Sequence, residues 1–236
     1  MRKRHFFTRP SKRPFPDIIQ QKLQQAFTLH QQGKLTDAKT IYEDILKERP
    51  NHFDALHLLG LIACQTNNPL RGEELIGKAI SINPNDAVVH SNRGKALQVL
   101  NRLEEAIASY DRAIALKPDF ADVHYSRGAA LEELGHLDEA IASYDKAIAL
   151  NPDNAEAYNH RGNALNSLRR LDAAIASFDK VIALKPDYAD AYNNRGNALQ
   201  DQRRLDEAIA SYDKAIALSP RAGSANLNRS ISGVSA

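Results

Sequence analysis

The chain of 236 residues has no tryptophan, one methionine and one cysteine, and only 6% of its residues are aromatic. A single thiol, Cys64, can close no internal disulfide and cannot supply the several thiolates of a Cys-rich zinc or iron–sulfur site. No apolar run approaches the roughly 18 to 20 residues a membrane-spanning helix requires, so a helical membrane protein is not expected. The sequence also lacks HExxH, a glycine-rich phosphate loop and a GxSxG elbow, and with them the usual signatures of zinc hydrolases, nucleotide-binding enzymes and serine hydrolases. The expectation is a protein without enzymatic activity, cofactor or metal. What remains is ordinary soluble-protein material, 43% apolar and 25% charged, with enough apolar residues to form a core.

That material is periodic. Pro50, Pro84, Pro118, Pro152, Pro186 and Pro220 fall 34 residues apart, and Gly60, Gly94, Gly128, Gly162 and Gly196 share the spacing. Two residue types locked to one period imply tandem repeats. Six repeats are expected, at 19–52, 53–86, 87–120, 121–154, 155–188 and 189–222. The last two are identical at 23 of 34 positions. Residues 1–18 form a basic, proline-containing tail expected to be disordered, and 223–236 a degenerate partial repeat or weak capping helix.

Each repeat reads as two helices. In 121–154 the first carries Val123, His124, Ala130, Leu131 and Leu134 at mixed three- and four-residue steps, and the second carries Leu137, Ala140, Ile141, Tyr144, Ala147 and Ile148. Gly135-His136 supplies the turn between them. Asn151-Pro152 ends the second helix, since proline lacks an amide donor and biases the residue before it out of the helical region. Asp153 or Asn154 can cap the helix that follows. Glycine inside a helix costs about 1 kcal/mol relative to alanine, so its recurrence implies close approach by the facing helix. Tyr42, Tyr110, Tyr144, Phe178 and Tyr212 are the expected knobs, with Ala106, Ala140, Ala174 and Ala208 as further small positions. One helix pair cannot bury its apolar face alone, so the pairs must stack.

With those residues in place the sequence resembles the tetratricopeptide repeat family over 19–222. The resemblance rests on the glycine, the leucine three residues later (Leu97, Leu131, Leu165, Leu199), the alanine, the aromatic, a second small residue (Ala79, Ala113, Ala147, Ala215) and the terminal proline. It implies an all-α solenoid of stacked antiparallel helix pairs, a right-handed superhelix whose first helices line a concave groove for a peptide or partner protein. NRGNAL and EAIASYDKAIAL are similar to bacterial arrays, some of which precede a glycosyltransferase related to the O-GlcNAc transferases. The alternative function is therefore a substrate-recruiting module working beside such an enzyme or truncated from one. His90 and His124 stand where the family usually has an aromatic, which Tyr158 and Tyr192 retain. Gly72 and Ile76 replace the alanine and the aromatic of the second repeat, which is expected to be the least regular.

If the first helices line the groove, their exposed stripe supplies the binding residues. The candidates are Asn92, Lys95, Asp122, Ser126, Glu156, Asn159, His160, Asn163, Asp190, Asn193, Asn194 and Asn197. Amides both donate and accept, so a row of asparagines can hold an extended main chain without reading its sequence closely. Ser126 and His160 interrupt that row. Repeats of this family that grip a terminal carboxylate use paired basic residues where this chain has Asn159, Asn163, Asn193 and Asn197, so such a clamp is not expected. Arg93, Arg127, Arg161 and Arg195 recur before the glycine, and Asp111, Asp145, Asp179 and Asp213 after the aromatic, a pattern that predicts a structural Arg–Asp ladder between helices. His90, His124 and His160 lie in successive repeats, too far apart at helix spacings of about 8 to 10 Å to share a metal ion. Cys64, in the apolar run LHLLGLIAC, reads as a packed thiol rather than a nucleophile.

The formal net charge of +2 is a sum of unlike parts. Six of the 31 basic residues fall in 1–13, which has no acid, and two more in 219–236. Residues 14–218 therefore hold 23 basic against 29 acidic residues. The partners expected are a protein or peptide at the acidic body, with nucleic acid or an anionic membrane reached only through the basic tail. The expected compartment is the cytoplasm.

Overall fold

The structure, a computed structural model, describes residues 18–219. Within that range twelve α-helices and no strands form two bodies that divide between Ile82 and Asn83. The first body holds α1 (Ile18–Gln31), α2 (Leu35–Glu48), α3 (Phe53–Gln65) and α4 (Pro69–Ile82). The second holds α5 (Ala87–Val99), α6 (Leu103–Leu116), α7 (Ala121–Glu133), α8 (Leu137–Leu150), α9 (Ala155–Ser167), α10 (Leu171–Leu184), α11 (Ala189–Asp201) and α12 (Leu205–Leu218). In each body the two helices of a repeat pack on one another, and the second helix packs on the first helix of the next repeat. This is the all-α solenoid expected from the periodicity. The tail and the partial repeat lie outside the described residues, except that α1 begins one residue earlier than the first repeat was placed.

The turn inside each repeat is identical in kind. Gly33, Asn67, Asn101, Gly135, Arg169 and Arg203 all have positive φ, between 56° and 79°. The amide that follows each one bonds back across the helix end, as His136 N–H does to the Leu131 carbonyl at 2.9 Å. That closure satisfies carbonyls that a helix terminus would otherwise leave open. Between repeats, Asp86 Oδ1 accepts from the amides of Val88 and Val89, and Asn154 Oδ1 from Ala157, capping α5 and α9. Phe120 and Tyr188 hold the same position before α7 and α11, and there Lys117 and Lys185 lie over the rings at 4.7 and 5.9 Å.

The core follows the packing expected. Tyr42, Tyr110, Tyr144, Phe178 and Tyr212 are fully buried, as are the alanines opposite. A Cβ on Gly128 would stand 2.6 Å from Tyr144 Cε1, and one on Gly162 2.6 Å from Phe178 Cε1, inside any tolerable carbon contact. Truncating such a ring to alanine costs about 3 to 5 kcal/mol. The second repeat departs from expectation, for α3 and α4 match the other helices in length and register. Its substitutions compensate one another: Ile76 packs over Gly60, and the Cys64 sulfur occupies the space that Gly72 leaves.

Candidate functional site

Curvature within the second body puts the first helices inside. α5 approaches α7, α7 approaches α9 and α9 approaches α11, while the second helices make no comparable approach. The stripe that α5, α7, α9 and α11 turn away from their second helices is thus the inner face, and it bears most of the candidate residues. Lys95, Asp122, Glu156 and Asp190 are exposed; Asn92, Ser126, His160, Asn163, Asn193, Asn194 and Asn197 are half-buried. Three asparagines are organised across α9, α11 and α12. Asn194 Nδ2 donates to Asn163 Oδ1 at 3.1 Å, and the single proton of the Tyr212 hydroxyl is shared between Asn197 Oδ1 at 3.0 Å and Gln200 Oε1 at 2.8 Å.

Other candidates are engaged differently. Lys185 Nζ lies 2.5 Å from Glu156 Oε1, and the Ser126 hydroxyl donates to its own helix at the Asp122 carbonyl. Asn159 does not belong on the open face. It is 9% exposed, and its Oδ1 has no hydrogen-bond partner. One residue before the exposed stripe, it sits on the flank of α9 rather than on the crest, and Asn193 holds the same repeat position on α11.

Glu132, which the sequence did not single out, gathers the most chemistry on this face. Its Oε2 accepts from the Tyr144 hydroxyl at 2.6 Å and lies 3.0 Å from His160 Nδ1. Tyr125 and Tyr144 flank the His160 ring at centroid distances of 5.6 and 5.8 Å. Burial works against ionisation of Glu132, but the hydrogen bonds from His160 and Tyr144 and the His160 charge outweigh it and hold the carboxyl below its usual range. The Tyr144 hydroxyl is pushed well up, first by burial and then by Glu132. The same alliance recurs without charge, Tyr110 donating to Gln98 at 3.1 Å and Tyr212 to Gln200 at 2.8 Å. It fails at Phe178, which has no hydroxyl, and the amide oxygen of its counterpart Asn166 is buried without a partner.

Three of the four recurring arginines form the expected ladder, with a refinement. Arg127 Nε lies 2.6 Å from Asp111, Arg161 Nε 2.5 Å from Asp145 and Arg195 Nε 2.6 Å from Asp179, each aspartate belonging to the preceding repeat. The other end of each guanidinium donates to a buried serine of its own repeat: Ser143 at 2.7 Å, Ser177 at 2.8 Å and Ser211 at 2.7 Å. Each arginine thereby bridges two second helices across the back of a first. The serines were missed: Ser109, Ser143, Ser177 and Ser211 recur every 34 residues, but the spacing alone does not name the arginine each one receives.

The histidines do other work. His90 Nε2 meets the Pro84 carbonyl at 3.0 Å and His124 Nε2 the Pro118 carbonyl at 2.9 Å, a contact Tyr192 makes to Pro186 at 3.3 Å. The imidazole thus takes over the hydroxyl of the aromatic it replaces. Burial raises the pKa of the Cys64 thiol, which keeps it protonated and packed against Gly72. Among the described residues no group of three or more His, Cys, Asp or Glu side chains could hold a metal ion, and no helix is long and apolar enough to cross a membrane.

Family profiles described as TPR repeat match residues 99–135, 133–168 and 162–203, and profiles described as tetratricopeptide repeat match 29–96 and 189–221. The chain belongs to the tetratricopeptide repeat family. Solved tetratricopeptide structures share its fold. YrrB, described as a TPR protein with an unusual peptide-binding site, is 22% identical with a TM-score of 0.72, over 80% of this chain and 97% of that one. MamA is 27% identical with a TM-score of 0.66, over 70% and 96%. PilF of Pseudomonas aeruginosa is 19% identical with a TM-score of 0.75, over 90% and 97%. Family and fold together make this tetratricopeptide chain a protein–protein interaction scaffold.

Proposed function

We propose that the second body is a non-catalytic, cytoplasmic scaffold that holds an extended segment of a partner protein along the inner faces of α7, α9 and α11. The observation that carries this reading is the organised amide row, in which Asn163, Asn194 and Asn197 are set by each other and by Tyr212. Side-chain amides fixed at successive first helices can donate to and accept from a peptide main chain. Charge agrees, since Asp122, Glu133 and Asp190 are exposed on this face against Lys95, with Glu156 paired to Lys185. Neutral or basic segments are therefore favoured over acidic ones. Among tetratricopeptide proteins of this fold, YrrB is described as having a peptide-binding site, which supports the general mode. The test is to select binders from a random peptide library and titrate one against the native protein and a variant with Asn163, Asn194 and Asn197 changed to Ala. A loss of about tenfold or more is expected, and equal affinity would refute the groove.

A further inference from the structure

Between α7 and α9 the inner face changes character. At one position of the stripe α5, α9 and α11 carry Lys95, Asn163 and Asn197, where α7 carries only Ala129. Three or four residues to either side on α7, and so on the same face, stand Tyr125, Glu132 and Glu133. His160 meets them from α9, and with side-chain exposures of 25% for Glu132 and 37% for His160 both can be reached from the groove. The hydrogen bonds from Tyr144 and His160 both end on Glu132 Oε2. Among the described residues Oε1 accepts none, though a carboxylate has room for about four donors.

Charge selects the occupant. Glu156 is matched by Lys185, but Asp122, Glu132 and Glu133 pair with no lysine or arginine among the described residues, and Glu133 takes only a neutral donor, Gln98 Nε2. Against those three carboxylates stand Lys95 on α5 and, when protonated, His160. Tyr125 feels the excess: burial first, then Glu156 and Glu132, push its hydroxyl up. An apolar side chain laid over Glu132 would strip water from an ionised oxygen and give it no bond, and an acidic one would be repelled. We propose that the gap over Ala129 seats one lysine or arginine side chain of the bound segment, its charged head on Glu132 Oε1 and its stem or guanidinium plane against the Tyr125 and His160 rings. A charge-assisted hydrogen bond and a cation beside aromatic rings act together there. This seat presupposes the extended segment proposed above and gives it a register, which contacts to a uniform main chain do not.

Glu132→Gln is the discriminating variant. Gln98 and Gln200 hold the same repeat position and accept the Tyr110 and Tyr212 hydroxyls, so the substitution removes the charge while keeping an acceptor for Tyr144, and helicity should be retained. Random peptides are selected in parallel on the full-length native protein and on this variant. The native protein should select peptides with Lys or Arg fixed at one position, and the variant peptides without it. The probe for titration is one native-selected peptide and its copy with norleucine at that position, which keeps an unbranched stem and loses the charge. The native protein should bind the basic peptide about tenfold more tightly than the norleucine copy, and Glu132→Gln should bind the two within about twofold. The Asn163, Asn194 and Asn197 alanine variant should weaken both peptides and keep the tenfold ratio. No basic position among native-selected peptides, or a ratio unchanged in Glu132→Gln, overturns the seat and leaves the amide row standing. Equal binding by the alanine variant, with the ratio lost in Glu132→Gln, overturns the row and leaves the seat. A library that yields no binder overturns both.

Discussion

Phe178→Tyr tests whether the hydroxyl of the core aromatic is a stabilising element or a passenger. In three of the four repeats of the second body the ring at this position carries a hydroxyl bonded to a side chain one helix away, at 3.1, 2.6 and 2.8 Å for Tyr110, Tyr144 and Tyr212. Phe178 lacks it, and Asn166 Oδ1, at the position of Gln98, Glu132 and Gln200, is buried without a partner. An unsatisfied buried acceptor costs about 1 to 3 kcal/mol, and a satisfied hydrogen bond contributes about 0.5 to 1.5 kcal/mol net. Asparagine is one methylene shorter than the partners used elsewhere, so the clean comparison is a double-mutant cycle of Phe178→Tyr with Asn166→Gln, which reproduces the Tyr212–Gln200 pair. The expected coupling is about 1 kcal/mol in favour of the double variant, read by urea denaturation followed by far-UV circular dichroism. In thermal melts that is about 2 to 4 °C for a protein of this size. Zero coupling, or a double variant less stable than the native chain by 1 kcal/mol or more, would show that these hydroxyls do not stabilise the core.

Arg203→Gly should stabilise the protein by about 0.5 to 1 kcal/mol, because a left-handed backbone costs an L side chain about 1 to 2 kcal/mol and glycine returns part of that as chain entropy; a lower melting temperature would refute it. Arg161→Leu removes the contacts to Asp145 and Ser177 but leaves the serine bonded to the Ala173 carbonyl, so a loss of about 1 kcal/mol with the fold intact is expected, and an unfolded variant would mean the bridge matters far more than a partly exposed pair should. Glu132 has a depressed pKa in the folded state, so its contribution is present above the unfolded value of about 4.3 and lost as pH falls through the lower folded one. Glu132→Gln should therefore flatten the acid limb of stability against pH, and parallel curves for the two proteins would remove Glu132 from that account.

Helices, turns and knobs were legible because each is enforced locally and then repeated. Pro118 and Pro152 mark helix ends by covalent geometry, and the glycine opposite each aromatic is required by a single contact. The period also made errors. It suggested irregularity at Gly72 and Ile76, where two exchanges compensate in space, a relation that a comparison of single positions does not contain. Asn159 sits beside the predicted stripe in the sequence but on the flank of its helix, because 100° of rotation separates adjacent residues. Glu132 and the serines escaped notice for another reason. Their roles come from partners 12 to 28 residues away, such as Tyr144, His160 and Arg127, and that pairing exists only after the helices stack.

The bridge of aspartate, arginine and serine has a genealogical consequence. The joints at Asp111–Arg127, Asp145–Arg161 and Asp179–Arg195 are built from the same residues at the same phase, so any of their ends is chemically compatible with any other. Deleting 121–154 would bring Asp111 into the register of Arg161, and duplicating that stretch would add a joint of the kind already present. Unequal recombination between copies as alike as the last two can thus lengthen or shorten the array without passing through a mismatched interface. Repeat number becomes a quantity that selection can adjust freely, whereas the joint of the first body, where Leu59 and Leu75 stand in the places of the arginine and the serine, is fixed to its place in the chain.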